Sequence, residues 1–309
     1  MAKVIYENML DSIGNTPYIR FQTDEVKGAK IYIKLEGYNP TGSIKDRACL
    51  YNIKGAIKSK KLKKGMTILD ASSGNMACAI AYYGKIMGYK THLVCGSKLT
   101  SEKKNFIEYF DGTLEMHGDY TIQGNDYCRK MLVPSDSSYC FLDQLHNENN
   151  PLASYETLGP EILESFPQVK AIVGSLGSGG SMYGSGRYIK ENSPLTKVIA
   201  VEAGHGSKIP GTGAFADGDY ITPFIGNARR EGIFDDSISI SIDDAILRTK
   251  QLSEQGIFVG FQTGGVLDAC IRTIARDEIK GDVVMVSGDS GWKNIDKLVA
   301  HAQEVPNCV

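Results

Sequence analysis

The feature that most constrains this chain is a regular alternation. Short β-branched apolar runs take turns with longer segments whose apolar residues recur at helical spacing. Strands are expected at Lys30–Leu35, Thr67–Asp70, Lys90–Cys95, Leu114–His117, Ala171–Gly174, Lys197–Glu202, Ser237–Ile242 and Asp282–Ser287. Helices are expected near Ser43 and at Cys78–Met87, Ser101–Tyr109, Tyr155–Ser165, Ser181–Glu191, Asp243–Glu254 and Gly265–Arg276. Such a pattern builds βαβ units and a mostly parallel sheet covered on both faces. The Gly-rich stretch Gly204–Phe234 breaks the pattern, and its length marks it as a functional loop or lid.

Composition narrows the function classes. The 309 residues carry a net charge of -2, so no basic face for nucleic acid is expected. The one basic run, Lys58–Lys64, reads as the solvated end of a helix. The N-terminal sequence lacks a charged flank with an apolar core, and no apolar run reaches the ~18 residues of a membrane span. A cytoplasmic location is therefore expected, without membrane partners. The seven cysteines are scattered with no CxxC pair, and the five histidines are equally dispersed. Neither a metal site nor a His-based triad is expected.

In an open α/β sheet, ligands collect beyond the carboxyl ends of the strands. Three loops at such positions carry unusual chemistry. Gly174–Ser181 follows a strand and opens a helix; its glycines and hydroxyls read as a phosphate cradle. A tight βα turn and a dinucleotide site, with Glu202 as the ribose acid, are the other readings of that loop alone. Ala71–Ala77 offers Ser72, Ser73 and Asn75 at a helix start, which suits a carboxylate and equally suits a simple N-cap. Glu36–Arg47 places Lys45 in the first turn of a helix, where the dipole opposes its charge and favours a neutral amine. A surface lysine paired to Asp46 is the plainer alternative.

Taken together the loops are recognisable. Asn39–Arg47 (NPTGSIKDR), Ser72–Met76 (SSGNM), Gly177–Ser181 (GSGGS) and Gly256–Gly264 (GIFVGFQTG) resemble the motifs of the cysteine synthase / cystathionine β-synthase family. Leu10–Pro17 (LDSIGNTP) and Tyr155–Glu161 (YETLGPE) resemble its other signatures, so the likeness spans nearly the whole chain. The resemblance implies an α/β protein of two three-layer α/β/α lobes with mostly parallel sheets. That is the fold-type II architecture of pyridoxal 5'-phosphate (PLP) enzymes, shared with the tryptophan synthase β-subunit, usually as a homodimer. A small mobile domain of about 41–145 and a large one of 1–40 with 146–309 follow, with no regulatory domain. By position, Lys45 matches the Schiff-base lysine, and Asn75 the asparagine on the cofactor's ring oxygen. Gly177, Ser178, Gly179, Gly180 and Ser181 match the phosphate loop. Ser72, Ser73, Asn75, Met76 and Gln144 match the substrate-carboxylate site.

Three positions depart from the pattern. Met76 stands where the sulfhydrylases have a threonine, giving a bulkier, less polar carboxylate loop. At the pyridine nitrogen, one register offers Asp289 and another Ser287. The loop Gly206–Phe215 continues into Arg229, Arg230, Glu231, Asp235 and Asp236, whose acids Asp235 and Asp236 are candidate water activators. The resemblance implies β-replacement or β-elimination, through an aminoacrylate, on L-cysteine or an O-activated L-serine, with sulfide or a thiol as the second partner. The departures favour breakdown of L-cysteine to hydrogen sulfide and L-serine; synthesis of L-cysteine from O-acetylserine is the main alternative. An amine nucleophile, a non-catalytic partner-binding protein and a Rossmann oxidoreductase are further alternatives.

Overall fold

The computed structural model describes residues 5–72, 74–97 and 99–304. The chain divides into two compact units. The first is the N-terminal segment through Ile13 with Lys45–Ala153; the second is Gly14–Ile44 with the chain from Ser154 onward. The crossings at 44/45 and 153/154 lie a few residues beyond the expected ones, and the N-terminal segment belongs to the smaller unit.

The second unit begins with β1 (Tyr18–Phe21) and β2 (Ala29–Lys34). The first unit follows. It contains α1 (Lys45–Lys58), β3 (Thr67–Ala71), α2 (Asn75–Ile86), β4 (Lys90–Cys95), α3 (Ser101–Tyr109) and β5 (Thr113–Met116). It continues through α4 (Thr121–Tyr127), α5 (Val133–Ser135), β6 (Tyr139–Phe141) and α6 (Asn149–Ala153). Its strands form one sheet in the order β5-β4-β3-β6, parallel throughout. Alternation along the strands fills both faces: Ile68 and Leu93 join a core with α1 and α2, while Leu69, Ala71 and Val94 pack with Cys128 on the other side.

The chain then returns to the second unit through α7 (Gly159–Ser165), β7 (Ala171–Ser175), α8 (Gly180–Asn192), β8 (Lys197–Ala203) and α9 (Pro223–Arg230). It ends with β9 (Asp236–Ile240), α10 (Ile242–Glu254), α11 (Phe261–Arg276), β10 (Gly281–Val286) and α12 (Ile295–Glu304). The six strands run β1-β2-β10-β7-β8-β9, and only the β1–β2 pair is antiparallel. Val283 and Met285 face one core with α11, and Val284 and Val286 face the other with Ile172 and Ile189. Strands buried on both faces are continuous apolar runs, which is why β7, β8 and β10 were legible as such.

Two strands escaped the sequence reading. β1 has 4 residues and β6 has 3, too short for any period to show. The stretch Gly204–Phe234 is only partly a loop, because α9 occupies 8 of its residues. Thr222 caps α9 and Pro223 starts it, a signal present in the sequence. Among the described residues no helix is long and apolar enough to cross a membrane.

Candidate active site

In the second unit, the chain leaves β7 and turns through Gly177, Ser178 and Gly179 into α8. Gly179 is left-handed, with φ +82°, and a Cβ there would sit 2.4 Å from Ile225. A Cβ on Gly177 would lie 2.9 Å from the carbonyl oxygen of Gly211. Only glycine permits this path. The turn presents backbone N–H groups at the start of a 13-residue helix, the arrangement that holds a phosphate. Ser178 is buried and Ser181 partly exposed. The loop is stitched to the Gly204–Phe234 segment. Thr222 Oγ1 donates to the Ser178 carbonyl at 2.6 Å, and the Gly213 N–H donates to the Leu176 carbonyl at 2.7 Å.

A residue that the sequence reading left without a role also joins this region. Gln262, at the start of α11, donates from Nε2 to Ser175 Oγ and to the Gly211 carbonyl, the latter at 2.9 Å. Its side chain covers Gly288, where any Cβ would collide with it. The signal was available, since Gln262 lies inside the stretch GIFVGFQTG. Beyond β10, Ser287 is fully buried; its hydroxyl accepts from Thr263 Oγ1 at 3.3 Å. Asp289 is 6% exposed, and its Oδ2 accepts from Asn294 Nδ2 at 3.2 Å. The backbone of Asp289 bridges Ser43, and the Ile44 N–H donates to the Gly288 carbonyl at 3.0 Å. The next residue in the chain is Lys45.

The turn that leads to Lys45 is braced from the N-terminal signature. Gly14 N–H donates to Asn39 Oδ1 at 2.9 Å, and Thr16 Oγ1 to Glu36 Oε1 at 2.6 Å. Buried Lys34 donates to the Thr16 carbonyl at 2.8 Å and pairs with Glu161 at 2.7 Å. Gly14 and Thr16 of LDSIGNTP and Glu161 of YETLGPE therefore brace the strand and turn that lead to Lys45.

In the first unit, Lys45 is the first residue of α1 and is half-buried. Its neighbour Asp46 is fully buried and accepts from Tyr83 Oη. Across β3, the loop Ser72–Asn75 enters α2. Ser72 Oγ accepts from the Gly74 N–H at 3.2 Å, and Asn75 is the first helical residue. Gln144 is brought to the same loop, its Nε2 donating to the Ala71 carbonyl at 2.7 Å. The expected contribution of Ser73 falls outside the described residues.

Two expectations are corrected. Met76 is 1% exposed and packs in the core with α1, so its side chain adds no bulk to the loop's outer surface. Asp235 and Asp236 are not at the ligand end of the sheet. Asp236 begins β9 opposite Ile199, near the amino end of β8. Asp235 accepts from Lys190 Nζ at 2.8 Å and from the Val198 N–H at 2.6 Å, while Asp236 pairs with Arg276. Both are structural anchors at the end opposite Gly177. Glu202, the acid of the dinucleotide reading, is likewise engaged, by Arg229 and Ser237. The six described cysteines are buried, and burial pushes the thiols of Cys49, Cys128 and Cys270 well up and that of Cys140 up, away from nucleophilic use.

The model of the pyridoxal-phosphate dependent enzyme family matches residues 9–288 of the chain. The chain belongs to that family. A cysteine synthase of Aquifex aeolicus is 31% identical over 93% of this chain and 90% of its own. An O-acetylserine dependent cystathionine beta-synthase of Bacillus subtilis is 28% identical over 96% and 98%. Among solved structures, a hydrogen sulfide-producing enzyme from Fusobacterium nucleatum superposes with a TM-score of 0.86. It is 28% identical, covering 94% of this chain and 99% of its own. The chain is thus a PLP-dependent enzyme of the cysteine synthase type. The two residue-level features that fit the cofactor are a cradle that any Cβ would fill at Gly177 and Gly179, and a lysine opening a helix at the end of a braced turn.

Proposed function

We propose that this PLP enzyme acts at the β-carbon of L-cysteine, releasing hydrogen sulfide and taking up water to give L-serine. The balance is L-cysteine plus water to L-serine plus hydrogen sulfide, with no redox change. Bound PLP supplies the electron sink that lets the Cα–H and Cβ–S bonds break. Lys45 would hold the cofactor, and its Nζ would accept the Cα proton of the substrate. The Gly177–Ser181 loop would hold the cofactor's phosphate, and Asn75 would hold its ring oxygen. Ser72, Asn75 and Gln144 hold the substrate carboxylate, together with the backbone at Met76.

The observation that carries the direction is the buried carboxylate of Asp289, offered as the pyridine-nitrogen partner in preference to the Ser287 hydroxyl. A carboxylate favours a protonated ring nitrogen and a stronger sink, which a poor leaving group such as hydrosulfide requires. The likeness to the Fusobacterium nucleatum enzyme supports the same direction. The opposite direction, L-cysteine from O-acetylserine and sulfide, is favoured by the likeness to the Aquifex aeolicus cysteine synthase and is the second reading.

We further propose that the smaller unit is mobile, that the enzyme is a homodimer and that it works in the cytoplasm, a location consistent with its free buried thiols. Size-exclusion chromatography with light scattering checks the dimer. The deciding assay incubates the yellow enzyme with L-cysteine alone. Rapid sulfide release with L-serine as the carbon product supports breakdown. Little sulfide, with fast turnover of O-acetylserine and sulfide, establishes synthesis instead.

A further inference from the structure

Asp70 is the penultimate residue of β3, one residue short of the carboxylate loop, and no part of it reaches solvent. Its Oδ1 accepts the Ala71 N–H at 2.8 Å, while its Oδ2 is buried with no hydrogen-bonding partner. The Gln144 N–H faces the same carboxyl group. Gln144 then donates from its side chain to the Ala71 carbonyl at 2.7 Å, and Asn150 Nδ2 holds the Gln144 carbonyl at 2.7 Å. Both peptide groups around Ala71 are therefore fixed, one by Asp70 and the other by Gln144. An acid kept dry with one oxygen unmatched is costly, and proteins keep such groups where they do something specific.

We infer that Asp70 is a positioning residue for the substrate carboxylate, clamping Ala71 and Gln144 into one rigid unit at the mouth of the Ser72–Asn75 loop. This inference deepens the proposed function and rests on its reading of that loop and Gln144 as the carboxylate site. The chemistry of the surroundings adds a pH signature. Burial, with a smaller push from the nearby Asp143 and against the opposing Ala71 and Gln144 N–H groups, brings the Asp70 carboxyl up to about 8. Asp143 is itself faced by Arg129, His146 and Asn125. Cys49 of α1 and Cys128 are the other titratable neighbours of Asp70, and both thiols stay protonated. Ionisation of Asp70 thus sets a charge against Asp143 beside the clamp, and substrate binding weakens as pH rises through about 8.

The test uses the full-length holoenzyme with L-cysteine, or with O-acetyl-L-serine and sulfide if that is the pair it turns over. Two variants are compared, Asp70→Asn and Asp70→Ala, with amide hydrogen exchange over residues 69–76 as a readout independent of turnover. Asparagine retains an acceptor for the Ala71 N–H. Its KM should stay within about twofold of wild type at pH 7, and the part of the KM rise between pH 7 and 9 owed to Asp70 should vanish. Alanine should raise KM about tenfold, the worth of one lost hydrogen bond, with kcat changed less than about threefold, and the Ala71 amide should lose protection. A folded Asp70→Ala enzyme with wild-type KM overturns the inference. So does an Asp70→Asn enzyme whose KM climbs with pH as wild type does, which decides the matter if the alanine variant fails to fold. Gln144→Ala separates the two levels. An unchanged KM there overturns the carboxylate-site reading beneath the inference. A raised KM there, with no effect at Asp70, overturns the inference alone.

Discussion

The loop after β7 and the loop after β3 both lead from a parallel strand into a helix, yet they are built oppositely. The β7 loop is made of backbone. Gly179 at φ +82° and Gly177 against the Gly211 carbonyl leave no room for side chains, and what the loop offers a ligand is N–H groups. The β3 loop is made of side-chain and long-range contacts: Ser72 on Gly74, Gln144 on Ala71 and buried Asp70 beneath both. A backbone cradle has no titrating member and tolerates no added atom. A side-chain cradle accepts substitution more readily but depends on protonation and on residues far along the chain.

Lys45 lies outside both loops and sets the upper end of the scale. Lys45→Ala should lose the visible cofactor band and slow turnover by at least about 10²–10⁴-fold, as a stopped assay with absorbance spectra will show. Retained turnover removes the Schiff-base assignment.

The comparison itself is broken or sharpened by one pair of variants. Gly179→Ala forces alanine into a left-handed conformation, costing about 1–2 kcal/mol before its contact with Ile225 is counted. PLP affinity, read by titration at the visible band, should fall more than tenfold. Gly74→Ala in the β3 loop meets nothing closer than Ser72 Oγ at 3.9 Å, at a φ of -126°. Its PLP affinity should stay within about twofold. Equal losses in the two variants would erase the distinction drawn here.

Protonation should affect one loop and spare the other. The folded Asp70 carboxyl titrates at about 8 against an ordinary value of 3.8, so between those values the folded chain holds a proton that the unfolded chain has released. Its contribution to stability is then unfavourable, growing as pH rises from about 4 to about 8 and constant above. Asp70→Asn removes it, so the Tm of the variant relative to wild type should climb across that window. A difference independent of pH would refute the assignment.

Smaller effects come from the supports. Asn52 is fully buried in α1 with neither Nδ2 nor Oδ1 hydrogen-bonded, so Asn52→Leu, of similar shape, should stabilise the enzyme by about 1–3 kcal/mol in denaturant melts. Asp235→Asn should leave kcat within about twofold and cost about 1 kcal/mol or less, because the pair with Lys190 is partly solvated. A tenfold loss of kcat there would restore Asp235 to the chemistry.

How much was legible follows from how local each device is. The phosphate loop could be read from GSGGS because the need for a missing Cβ is written in glycine itself. The position of Lys45 at a helix start followed from Pro40, Gly42 and Ser43 nearby. Buried strands announced themselves as apolar runs, whereas β1 and β6 were too short for a period to appear. Met76 looked like a surface change because the neighbouring loop residues are polar; only packing against α1 turned it inward. Asp235 and Asp236 looked like site acids because they follow the Gly-rich stretch in sequence. The parallel sheet carries the chain back to its amino end before β9 begins, and puts them opposite the site.

The sequence by itself determined the βαβ plan, the glycine cradle, the lysine turn and the kinship with PLP enzymes, because each is written in short local patterns and the order in which they follow along the chain. Only the tertiary structure decided which side chains support them. Gln144 reaches Ala71 across 73 residues, Gln262 reaches Ser175 across 87, and Asp70 becomes an uncharged acid only when the sheet closes over it. Burial and long-range pairing are properties of the folded chain, and they set the dielectric and the partners that give those residues their chemistry.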